Sequence, residues 1–161
     1  MTEEANGLVA DRTPLEVVAA FFIEGGWLCE QVVDQPILHT VFEGKSGGWH
    51  CFAHCHPETA QILFYSVAPL RVAAVLRPAV AEYLTRANWG LLLGNFEMDY
   101  SDGEVRYKTC LQFDQTPLTP ALLRPLIMGN VAGMDKYLPG LQGILSQEQT
   151  PLEAINAVEG D

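Results

Sequence analysis

Seven consecutive residues, His50-Cys51-Phe52-Ala53-His54-Cys55-His56, offer five side chains of the kinds that bind zinc. A structural zinc site needs its donors converging as a tetrahedron. These residues instead read as a strand, which sends His50 and His54 to one side and Cys51 and Cys55 to the other. One strand therefore cannot close a site around a single ion, and no CxxC pair or helical HxxxH completes one. His54 and His56 stay as candidates for weak metal binding at a sheet edge. The apolar set Trp49, Cys51, Ala53 and Cys55 is expected to face a core.

Glu97, Asp99, Asp102 and Glu104 bring four carboxylates into a short run. A glycosidase pair would need a cleft and one carboxyl with a raised pKa, and a calcium loop would need a spacing that is absent. Asp102-Gly103 lies between two alternating runs, the pattern of a two-residue type I′ hairpin turn. That turn predicts Ser101 opposite Glu104, Asp99 opposite Arg106 and Glu97 opposite Lys108. Phe96, Met98 and Tyr100 then share the other face with Val105, Tyr107 and Thr109, so one face is charge-paired and one is core. Ser66 and Ser101 lack a nucleophile elbow. Gly44-Lys45-Ser46-Gly47-Gly48 lacks the first glycine of a phosphate loop and runs into a strand, so it reads as a hairpin turn. No catalytic constellation and no cofactor follow.

The elements that would position these residues are legible along the chain. Residues 1 to 12 are read as a frayed, disordered N-terminus. Thr13-Pro14-Leu15-Glu16 is a capped helix entry, with Leu15, Val18, Ala19 and Phe22 on one face and Gly25-Gly26 at its end. Trp27 to Pro36 is open between loop and extended chain. Ile37 to Glu43, Trp49 to Cys55 and Gln61 to Val67 form a three-stranded meander. Val80, Tyr83, Leu84 and Ala87 mark a helix that starts near Pro78 and ends near Asn88-Trp89-Gly90, where it feeds the hairpin. Thr119-Pro120 opens a long helix with the stripe Leu123, Ile127, Val131, Met134 and Leu138; Pro125 should bend it and Pro139-Gly140 should stop it. Thr150-Pro151-Leu152-Glu153 starts a short last helix. The fold class is α+β, a two-layer sandwich with a five-stranded antiparallel sheet covered on one face. The domain is set at 13–145 and a helical tail at 146–161.

The 161 residues fit one domain and carry 20 acidic against 9 basic side chains, a formal charge of -11. Such a chain repels phosphate backbones and anionic membranes, so neither nucleic acid nor membrane is an expected partner. The four cysteines do not form a secreted framework, the first residues lack a signal peptide's basic head, and no apolar run spans a bilayer. A cytoplasmic location is expected. Leu91-Leu92-Leu93 would, in a strand, need cover on both faces, and Trp89 adds to that apolar surface.

Arg86-Ala87-Asn88-Trp89-Gly90, the run from Gly94 to Thr109 and Met134-Asp135-Lys136-Tyr137-Leu138-Pro139-Gly140 together resemble the YbjN-domain family in its cyanobacterial form. Trp49-x-Cys51-x-Ala53 and Phe64-Tyr65-Ser66-Val67-x-Pro69 extend the resemblance over roughly residues 14 to 145. It implies a fold like that of type III secretion chaperones, small acidic dimers that hold partner polypeptides, and a role in sensory transduction. Cys51 falls at a family position beside the core tryptophan; His54 and His56 lie outside the family pattern. With Trp49, Cys51, Asp102, Gly103, Pro139 and Gly140 structural, the expected interfacial residues are Trp89, Leu91, Leu93, Arg106 and Lys108. The first reading is a non-enzymatic homodimer that engages a polypeptide client. The alternative is a metal-binding regulator or small enzyme built on the His50 to His56 strand.

Overall fold

The computed structural model describes residues 12–160. The N-terminal stretch read as frayed lies, apart from Arg12, outside the described residues. Helix α1, Pro14–Glu24, starts with the anticipated capping box: Thr13 accepts from the Glu16 amide and the Glu16 carboxylate accepts from the Thr13 amide. Strands β1, Cys29–Gln31, β2, Ile37–Glu43, β3, Gly48–His56, and β4, Gln61–Arg71, come next, then helix α2, Arg77–Asn88. The order closes with β5, Asn95–Met98, β6, Glu104–Gln112, α3, Pro120–Leu145, and α4, Pro151–Glu159.

All pairings are antiparallel, in the order β1-β2-β3-β4-β6-β5. The sheet has six strands where five were expected, because the undecided Trp27 to Pro36 stretch supplies β1, tied by the Thr40 hydroxyl donating to the Leu28 carbonyl at 2.6 Å. Leu38, Trp49, Cys51, Ala53, Ile62, Phe64, Val105 and Tyr107 line the inner face and join the helices in one buried cluster. The anticipated stripes of α2 and α3 are the faces they bury. Near the sheet centre, buried Asn130 of α3 donates to the carbonyls of Phe64 on β4, at 2.9 Å, and Tyr107 on β6, at 3.2 Å.

Pro139-Gly140 does not stop the long helix; α3 runs through both, and through Pro125. A proline in a helix removes the donor for the carbonyl four residues back. For Pro139 that carbonyl is Asp135, and the Ser46 hydroxyl donates to it at 2.7 Å. Gly140 is required by packing, since a Cβ there would lie 2.2 Å from the Tyr83 hydroxyl oxygen. That hydroxyl donates to the Tyr137 carbonyl at 2.8 Å. The Gly44 to Gly48 turn does bind an anion, its own Asp135, whose carboxylate accepts from the amides of Lys45 at 3.0 Å and Ser46 at 2.7 Å.

The β5–β6 turn is longer than the two-residue form. Asp99 donates its amide to the Glu104 carbonyl, and Tyr100 to Gly103 form a four-residue loop. The register moves by two residues, which preserves the faces: Glu97 lies opposite Arg106, not Lys108, and Asp99 opposite Glu104, not Arg106. Tyr100 leaves the core face and is exposed. Tertiary partners select the longer loop. Asp102 accepts the Glu104 amide with one oxygen and Arg71 with the other, and the Gly103 carbonyl accepts from Val72. Gly103 has φ +79°, and a Cβ there would meet the Val72 backbone.

Candidate functional site on the outer face of the sheet

Strand alternation gives the sheet a second face. On it lie Ile37, His39 and Val41 of β2, His50, Phe52, His54 and His56 of β3, Leu63, Tyr65 and Val67 of β4, and Arg106, Lys108 and Cys110 of β6. The helices bury their apolar stripes on the opposite face, and among the described residues no helix lies over this one. An apolar parity on both sides of β2, β3 and β4 was visible in the sequence and is what could have revealed it. A groove of about 490 Å³ runs here, lined by Phe52, His54, Tyr65 and Val67 of the sheet and by Val32 and Gln35 of the β1–β2 connection.

The face is held rigidly at its β6 side. Glu97 receives hydrogen bonds from Arg106 Nε, at 2.8 Å, and Lys108 Nζ. Burial alone would raise the Glu97 pKa, but these two cations outweigh it and hold the carboxyl below its ordinary value. Arg106 also lies over the Tyr65 ring at 4.2 Å. Both cations are thus committed to Glu97, and Arg106 additionally presents its plane to the groove. His54 packs edge-on against Tyr65 with centroids 5.0 Å apart. Burial, then the neighbouring His56 and Arg106, lowers its pKa and keeps it neutral at neutral pH.

The histidine strand divides as expected. Cys51 and Cys55 are buried on the inner face, where burial pushes each thiol up to about 11, while the histidines point outward. Two functional candidates, His39 and Glu30, were not singled out in sequence because they sit on other strands. Their register brings His39 to His50.

The β5 edge of the sheet is less open than its face. On β5, Asn88 pairs through its side chain with both backbone groups of Phe96, at 2.7 and 3.1 Å, as a neighbouring strand would. The leucines before β5 form a connecting loop, not a strand. Leu91 packs against the core, whereas Trp89 is 89% and Leu92 103% exposed, with Leu93 at 41%. The Tyr107 hydroxyl donates to the Leu93 carbonyl and fixes the loop's base. Of the three apolar residues expected at an interface, Trp89 and Leu93 are exposed and Leu91 is partly buried against the core, while Leu92, not among the expected residues, is exposed as well.

Residues 14–142 match the YbjN family, described as "Putative bacterial sensory transduction regulator". The chain belongs to the YbjN family. No curated protein matches it in sequence. Among solved structures it is similar to that of YbjN, described as "a putative transcription regulator from E. coli", with 16% identity, a TM-score of 0.59, and coverage of 84% of this chain and 94% of that one. At that identity the likeness extends to the fold alone, an α+β domain with an antiparallel sheet. No helix of the described residues is long and apolar enough to cross a membrane.

Proposed function

We propose that this YbjN-family chain is a non-enzymatic, cytoplasmic regulatory module that works by docking another polypeptide on the outer face of its sheet. One observation carries the reading: Ile37, Val41, Phe52, Leu63, Tyr65 and Val67 project from the face away from the helices. Apolar side chains on a face with no element of the same fold above it favour burial by a partner. A bound segment would lay its apolar residues along the groove, with Phe52 as the aromatic anchor and the Arg106 plane over Tyr65 beside it. The chains pair as homodimers through the loop of Trp89, Leu92 and Leu93, which leaves the sheet face for the client. Family membership supports the regulatory part of this reading.

Phe52→Glu tests it. The substitution puts a charge in the middle of the groove without touching the core, since Phe52 lies on the outer face. Co-purification from the native host, with bound chains identified by mass spectrometry, is expected to yield a stoichiometric polypeptide with the wild type and to lose it with Phe52→Glu, whose circular dichroism should still show a folded chain. Equal recovery with both would refute the assignment of the face.

A further inference from the structure

Sheet register joins two histidines separated by eleven positions in sequence. His39 Nε2 on β2 lies 2.7 Å from His50 Nδ1 on β3, and His39 Nδ1 lies 3.1 Å from the Glu30 carboxylate on β1. The ring centroids are 5.0 Å apart and the planes 23° from parallel, so the rings meet through their nitrogen edges. Phe52, cross-strand partner of His39, supports that ring at a centroid distance of 5.0 Å.

Glu30 fixes a proton on His39 Nδ1 and leaves the Nε2 lone pair facing His50. A carboxylate that holds the far N–H of an imidazole is the outer-shell arrangement that orients histidine ligands on metals and raises their basicity. We propose that His39 and His50 are a two-histidine site for a divalent first-row transition ion, with Glu30 as its positioning carboxylate. Imidazole pairs suit copper, nickel and zinc, and copper(II) heads that order of affinity. An ion about 2.0–2.1 Å from each nitrogen needs those nitrogens about 2.8–3.0 Å apart at a square or octahedral corner and about 3.3–3.4 Å apart at a tetrahedral one, so the 2.7 Å contact must open and the rings turn. Exposed His50 supplies the swing. His50 then carries its proton on Nε2 and gives Nδ1 to the ion. Among the described residues no group of three or more His, Cys, Asp or Glu is placed to hold an ion, so water completes the coordination.

His54 and His56, the candidates from sequence, do not make this site. The strand partners of His54 are Ile37 and Leu63, which offer no ligand. The histidine pair is fixed by strand register and side-chain geometry, whether or not a polypeptide docks on the face.

Isothermal titration of the tag-free full-length chain with nickel(II) chloride tests it, together with amide NMR spectra that locate paramagnetic broadening. One saturable ion per chain is expected, with broadening centred on residues 39 and 50. His39→Ala and His50→Ala should each weaken binding by about tenfold or more, and Glu30→Gln by several-fold. His54→Ala and His56→Ala should leave it within about twofold, because they remove no ligand. An unchanged melting temperature for exposed His50→Ala keeps loss of binding separate from loss of fold. Nickel binding that survives both His39→Ala and His50→Ala, broadening centred on His54, His56 or Cys110, or no saturation below about 1 mM overturns the assignment.

Discussion

Replacing Gly140 with alanine should destabilise the protein although it improves helix propensity. Alanine in a helix interior gains about 1 kcal/mol over glycine. At this position the new methyl would lie 2.2 Å from the Tyr83 hydroxyl oxygen and 2.5 Å from its ring carbon Cζ. Tyr83 is fully buried and cannot swing aside. Overpacking of this kind costs about 1–3 kcal/mol, and displacing the hydroxyl from the Tyr137 carbonyl costs about 1 kcal/mol more. The net loss is about 2 kcal/mol, or roughly 4–8 °C in melting temperature for a chain of this size. Gly129→Ala in the same helix is the control, because its methyl meets only the end of the half-exposed Leu93 side chain. It should be neutral or stabilise by up to about 1 kcal/mol. Thermal and urea unfolding of the two variants measure both signs. A Gly140→Ala protein as stable as wild type would refute the close α2–α3 packing that carries Pro139 and Gly140 inside the helix.

Trp89→Asp with Leu92→Asp should abolish self-association in analytical ultracentrifugation and leave a folded monomer whose melting temperature no longer depends on protein concentration, since both side chains are exposed on the single chain; Leu91→Asp should instead destabilise the fold. Glu97→Gln should cost about 1 kcal/mol at pH 7. A carboxyl whose folded pKa is depressed contributes stability above its unfolded pKa, near 4.5, and loses it as pH falls through the lower folded value, so the two proteins should converge in acid. With a thiol reagent at neutral pH, exposed Cys110 should react first, and Cys51 and Cys55 only after denaturation. Asp135→Ala should release the turn at residues 44–47 and raise its amide exchange, at a cost of about 1 kcal/mol.

Helices and strands were legible where a period or a cap determines them. Thr13 and Thr150 announced their helices through the capping box, and the stripes of α2 and α3 named the residues they bury. Alternation in β3 told the inner cysteines from the outer histidines. What failed was local punctuation overruled by distant partners. Pro139 reads as a helix stop until Ser46, far away in sequence, takes the carbonyl it frees. Asp102-Gly103 reads as a two-residue turn until Arg71 and Val72 bind it. The groove was half visible, as apolar residues on the wrong parity, but the pairing of His39 with His50 depended on register between strands.

The outer sheet face as a polypeptide docking surface is tested most directly by a photo-crosslinking amino acid placed at position 52 and, as a control, at exposed Glu148, in cells of the native host. A discrete crosslinked product of one partner chain at position 52, absent at 148, is the expected result. No product at 52, or the same mixture at both positions, would contradict the assignment of the sheet face.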